Sequence, residues 1–166
     1  MAAGGRGGVG ASVTIRRPVG EVFAFYRDFT HFPQFLGDVM DVRHAGGGRT
    51  RWTVRGPMGM MVHWAVEVTE ERPDTLIRYA TTGGLTGGRG RWSVHFSPGG
   101  RPDTTVVREV MTIPLGRWGA TALGLIGKPP AAESEANLHR LQQLLETGEV
   151  TDTRHAVPGK FGPRSG

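Results

Sequence analysis

From Asp38 to Ile113 the chain keeps a two-residue hydrophobic rhythm for about 75 residues, and that run constrains the fold more than any other feature. Six candidate strands can be marked in it: Val39–His44, Thr50–Arg55, Met60–Glu70, Thr75–Thr81, Arg89–Ser97 and Thr104–Ile113. The separators AGGGR, GPMG, ERPD, GGLTGG and SPGGRPD are rich in glycine, which reaches positive φ, and in proline, which fixes φ. They are too short to carry crossover helices, so the spacing predicts a meander of antiparallel strands.

The flanks follow a different rhythm. Ser12–Arg17 (SVTIRR) alternates Val13 and Ile15 against polar neighbours and reads as a first strand. Pro18 suits a helix start, and Val19, Val22, Phe23 and Tyr26 recur at helical spacing behind it. A second short helix is predicted over His31–Phe35, stopped at Gly37. In YRDFTHFPQFLGDV, Asp28 and His31 could be read as an acid–base pair, but Asp28 is placed to cap the second helix with His31 a local partner. Phe32, Phe35 and Leu36 would pack that corner, with Pro33 fixing it. After the last strand, LGRWGATALGLIGKPP breaks the alternation. AAESEANLHRLQQLLETGE then aligns Leu138, Leu141, Leu144 and Leu145 on one side of a long C-terminal helix. The predicted class is α+β: a curved antiparallel sheet of about seven strands, two short helices after strand 1, and a long helix across the concave face.

Parity assigns the two faces of the sheet. Met60, Val62, Trp64, Val66 and Val68 share one face, as do Trp52 with Val54, and Trp92 with Val94 and Phe96. Arg51, Arg55, His63, Arg91 and His95 fall on the other, so the tryptophans are expected inside and the arginines and histidines in water. In LIRYAT, Tyr79 suits the interior better than Arg78, its ring being apolar and its hydroxyl free to bond. The strand Thr104–Ile113 is undecided. Either Val106, Arg108, Val110 and Thr112 face inward, or Val107, Glu109, Met111 and Ile113 do; a buried charge of either kind must be paired or functional. An aromatic concave face of this kind serves equally as a packed core or as the wall of a small-molecule pocket. The residues expected to line such a pocket are Phe23, Phe35, Trp52, Trp64, Trp92, Val94, Phe96, Met111, Leu138 and Leu141. Tyr79, Arg108 and Glu109 are the candidate acid–base groups.

Composition narrows the function classes. The chain has no cysteine, which excludes disulfides, thiolate metal sites and cysteine nucleophiles. Its six histidines never recur at i, i+4, and no phosphate loop, GxGxxG, HExxH or GxSxG motif occurs, so neither metal nor cofactor is expected. A pI near 10.6 raises nucleic-acid binding. Without Arg6, Arg154, Lys160, Arg164 and Asp152, however, residues 12–150 hold 16 basic against 14 acidic side chains, a net of +2. No basic stripe with stacking aromatics appears, and 18 arginines to 2 lysines fits a GC-rich genome, so nucleic acid is not expected as a partner. Residues 1–11 and 151–166 are expected to be disordered tails around a single domain at 12–150. The N-terminus lacks a signal-peptide core, and the apolar stretch Trp118–Ile126 is too short to span a bilayer, so a cytoplasmic protein without a membrane span is expected.

Three stretches carry a resemblance. VTIRRPVGEVFAFYRDFTHFPQFL resembles the opening of START-like (SRPBCC) proteins of the polyketide cyclase/dehydrase and lipid-transport type, through Pro18, Val22, Phe23, Phe25, Asp28, Pro33 and Phe35. RWTVRGPMGMMVHWAVEVTEERPDTLIRYAT is similar to that family's hairpin, with a G-P-x-G turn between two tryptophans, and LHRLQQLLETGEV to the last helix of some bacterial members. The resemblance covers residues 12–150 and implies a helix-grip fold with a hydrophobic cavity between sheet and C-terminal helix. It also implies a polyketide-, isoprenoid- or lipid-like ligand, or a cofactor-independent cyclase/dehydratase activity, with a polyketide synthase carrier protein as a conceivable partner. The family's catalytic sets do not map onto this chain residue by residue.

Overall fold

A computed structural model describes residues 8–82, 90–112 and 130–162; Arg89, Ile113, the stretch Trp118–Ile126 and the outermost residues of both expected tails lie outside them. Strand β1 (Val9–Ile15) leads through Pro18 into helix α1 (Val19–Arg27) and a 3-10 helix, Phe29–Gln34. Strands β2 (Val39–His44), β3 (Arg49–Arg55), β4 (Met61–Arg72), β5 (Leu76–Thr82), β6 (Arg91–Pro98) and β7 (Thr105–Thr112) follow, and helix α2 (Pro130–Thr147) comes last. The strands form one seven-stranded antiparallel sheet in the order β1-β7-β6-β5-β4-β3-β2. The meander is therefore interrupted once, where the first strand closes onto the last with Val9 opposite Met111 and Ile15 opposite Thr105. Register shifts at Val39/Asp41 and Val68/Glu70 mark bulges, which increase local twist and help the sheet curl. This is the helix-grip architecture that the alternation and the C-terminal leucines anticipate.

Asp28 does what its position suggests. Its carboxylate accepts from the Thr30 amide at 3.1 Å and the Thr30 hydroxyl at 2.6 Å, capping the 3-10 helix. The His31 ring stacks on Phe25 at 4.4 Å and stands 3.7 Å from Asp28, so the pair fixes a corner. Phe29, Phe32 and Phe35 drive that corner into the sheet beside Trp52 and Tyr79. Each such ring contributes roughly 1.5–3 kcal/mol by leaving water.

Two expectations need correction. The ordered chain starts earlier than Ser12, since Val9–Ala11 already pair with β7 and Ala11 is buried. Residues 151–162, expected to be disordered from their Gly/Pro-rich composition, are instead packed onto α2 and the 3-10 corner. Arg140, fully buried, donates to the carbonyls of Phe35 (2.7 Å) and Arg154 (2.6 Å), with a longer contact to Asp152 (3.3 Å), and also to Asn137 Oδ1 (2.6 Å). Lys160 donates to the carbonyls of Leu36 and Val39, and its ammonium and the Arg140 guanidinium both lie about 5 Å from the Phe161 ring centre. The Val157 amide bonds to the Gly37 carbonyl at 2.9 Å. Gly37 permits the approach: a Cβ there would stand 2.3 Å from the His155 carbonyl oxygen.

Candidate functional site

The interior side chains of β5, β7, α1 and α2 converge on a buried polar group. β7 resolves its undecided parity in favour of Val107, Glu109 and Met111, which leaves Glu109 pointing into the space between sheet and helices. Its Oε2 lies 3.3 Å from the Tyr26 hydroxyl on α1 and its Oε1 3.2 Å from the Ser134 hydroxyl on α2. The Tyr26 hydroxyl is in turn 3.4 Å from that of Tyr79 on β5. Burial raises the Glu109 pKa, with the Ser134 and Tyr26 hydrogen bonds opposing the rise. Burial and the neighbouring Glu109 carboxyl push both tyrosines well above the ordinary phenol value. The group thus holds neutral phenols around a carboxyl whose burial favours the protonated form, a point at which a proton can be donated or accepted in an apolar interior.

Around that group the aromatic side chains are graded along the sheet. Tyr79 and Trp92, paired across β5 and β6, stack at 5.2 Å with nearly parallel rings. Phe23, Phe35, Trp52, Val94, Phe96, Leu138 and Leu141 are buried. Phe23 packs edge-on against Phe96 at 5.3 Å, Phe35 against Phe32 at 5.1 Å, and Trp52 against Phe29 and Phe32 at 5.8 and 5.3 Å. Trp64, Trp92 and Met111 are only half-buried. All three stand toward the end of the sheet where β4 and β6 begin and β7 finishes. Seven of the ten expected pocket-lining residues are thus core, and three are half-buried.

Arg108 is displaced from the candidate acid–base set. It faces outward and is exposed, because the parity that turns Glu109 inward turns its neighbour out. Arg78 likewise points away and pairs with Glu70. His95 is on the outer face, and His63 there meets Thr53 at 3.1 Å. Two members of the polar group were not singled out from sequence. Tyr26 was visible as a hydroxyl on the apolar face of α1. Ser134 lies on the leucine face of α2, four residues before Leu138 and seven before Leu141, which was the available signal.

A surface cleft of about 400 Å³ lies elsewhere, between Pro18–Val19 and the β6–β7 turn at 98–104. No catalytic constellation lines it. Among the described residues no group of three histidine, aspartate or glutamate side chains gathers to hold a metal, and no helix is long and apolar enough to cross a membrane.

Comparison with known proteins agrees with this fold. A family model described as polyketide cyclase / dehydrase and lipid transport matches residues 7–146. No curated protein matches the chain. Among solved structures, a Deinococcus radiodurans protein superposes with a TM-score of 0.64 at 24% identity, over 85% of this chain and 98% of its own. A START superfamily protein from Mycobacterium smegmatis gives 0.61 at 17% identity, over 82% and 98%. DynU16, from the dynemicin biosynthetic locus, gives 0.57 at 24% identity, over 85% of this chain but 48% of its own. At these identities the structural matches speak for the fold.

Proposed function

This chain belongs to the polyketide cyclase/dehydrase and lipid transport family, whose model spans most of its length, and from that premise we propose that it binds an apolar small molecule between the sheet and α2. The observation that carries the reading is the Tyr26–Tyr79–Glu109–Ser134 group. A core built only for stability gains nothing from a buried carboxyl, which costs free energy unless its hydrogen bonds offset it. A polar anchor deep in an aromatic interior is what orients a polyketide-, isoprenoid- or quinone-like ligand carrying one carbonyl or hydroxyl. The half-buried Trp64, Trp92 and Met111 offer the apolar contact for the rest of such a molecule. Tryptophan fluorescence titration across a panel of quinones, isoprenoids and aromatic polyketides tests this. At least one is expected to bind, and Trp92→Ala to weaken it about tenfold through lost ring contact. No binding across the panel, with no apolar molecule found by native mass spectrometry of the purified protein, overturns it.

The raised pKa of Glu109 favours a second reading, a cyclase or dehydratase. A protonated Glu109 would give its proton to a leaving hydroxyl as the C–O bond breaks and water departs. The carboxylate so formed would take the adjacent C–H proton, restoring the acid. Glu109→Gln would then abolish turnover while ligand still binds, and Tyr79→Phe would lower it; full activity in both variants excludes the mechanism.

A further inference from the structure

The β3–β4 hairpin ends in a feature that neither the fold nor the interior group requires. Met58, Met60 and Met61 are 99%, 58% and 52% exposed, and among the described residues they are the exposed large apolar side chains. Met58 also sits at φ 60°, ψ 22°, the left-handed region that costs a side-chain-bearing residue roughly 1 kcal/mol or more. A glycine at that position would relieve both the strain and the exposure. A methionine there instead is displayed.

The surroundings of the tip are basic. Residues 50–66 contain Arg51 and Arg55 and no aspartate or glutamate, while Arg49, at the far end of β3, pairs with Glu67 at 3.8 Å. Arg55 pairs across the ladder with Met61, and its guanidinium folds over the turn, 3.4 Å from where a Cβ on Gly59 would stand. His63 and Arg51 follow on the same outward face. Asp38, just before the adjoining β2, accepts from the Arg55 amide at its backbone carbonyl at 2.8 Å, and on β2 itself Arg43 neutralises Asp41 at 2.7 Å.

We infer that this hairpin is a docking tip for an anionic lipid bilayer: the methionines enter the acyl boundary while Arg55 and Arg51 meet the headgroups. The shape favours a bilayer over a protein. The tip is a single turn, Pro57–Gly59, and three unbranched side chains bury far less than a stable protein interface of roughly 1,200 Å² or more needs. A deformable apolar phase accepts such a point without a matching pocket. The half-buried Trp64, Trp92 and Met111 lie toward the same end of the sheet, so docking would bring them toward the bilayer. The inference rests on the surface alone and stands whether or not a ligand occupies the interior.

Co-sedimentation with vesicles of equimolar phosphatidylglycerol and phosphatidylcholine, against pure phosphatidylcholine, is the test. Binding is expected to the anionic vesicles and to fall with added salt. Combined Met58→Ser, Met60→Ser and Met61→Ser should weaken it about tenfold, and Arg51→Gln or Arg55→Gln about fivefold each. These side chains are exposed, so the melting temperature should stay unchanged. A Met58→Trp variant should show blue-shifted emission on the same vesicles. Absent wild-type binding, or binding indifferent to the methionines, overturns the proposal. So does methionine-dependent dimerisation, or capture by an acidic protein, without vesicle association.

Discussion

Glu109 exposes a tension between stability and use. Its pKa is raised above the ordinary 4.5 by burial, so between that value and the raised one the unfolded chain is ionised while the folded chain still holds its proton. Stability therefore falls as pH rises through that window, and none of this penalty exists below it. Glu109→Gln keeps the shape and removes the titration. Thermal melts of the two proteins should nearly coincide near pH 4, with the variant gaining stability as pH is raised toward 8. A variant that gains stability while losing binding or turnover would show the carboxyl to be retained for function. At this scale the sequence was readable where alternation was clean: Trp52, Trp64, Trp92 and Tyr79 all face the side that parity assigns them. It was not readable at Glu109, because both faces of β7 offered one charge among apolar neighbours. Only the tyrosine and serine hydroxyls brought from α1 and α2 decide which charge can be accommodated.

The segment 151–162 shows where element-level reading stops. Composition marked it as disordered, yet it is held by Arg140, Lys160 and the Gly37 carbonyl, partners that are distant or charged and leave no periodic trace. Arg140 itself lies between the helix's leucines at 138 and 141, and nothing in that spacing marks it as buried. Removing its guanidinium as Arg140→Met takes the donor from the buried Phe35 carbonyl and the part-buried Asp152 and Arg154 carbonyls and is expected to cost about 3 kcal/mol, measured by denaturant unfolding. Gly37→Ala should reach a similar loss by a different route, since its methyl would collide with the His155 carbonyl and lift the segment away. The attachment should also respond to pH at both extremes. Hydrogen bonds from Arg154 and His139 hold Asp152 below its ordinary 3.8, so its contribution is lost as pH falls beneath that value. Burial brings Lys160 from 10.5 to about 8, so attachment strengthens as pH rises between those two values. Exchange of the Val157 amide, followed by mass spectrometry and corrected for intrinsic rate, should report both changes.

On the scale of the whole molecule the strand count, their antiparallel order and the closing helix were legible because hairpins are local. What no local pattern could reveal was the placement of β1, which carries the sheet past a simple meander by joining β7. Helix α2 repeats that closure: Gln142 donates to the Thr14 carbonyl, Glu146 accepts from the Arg16 amide, and Arg17 donates to the Leu145 carbonyl. The pairing of Val9 with Met111 has a temporal side. During synthesis β1 emerges first and waits about a hundred residues for its partner, and its helix cover arrives later still. Hairpins β2 to β7 can form in order as they leave the ribosome, each closing a short loop, whereas the final closure carries the largest loop entropy. The nascent chain must therefore spend that interval with Ile15 and the aromatic face uncovered, and it is then, rather than in the finished protein, that a chaperone has something to hold.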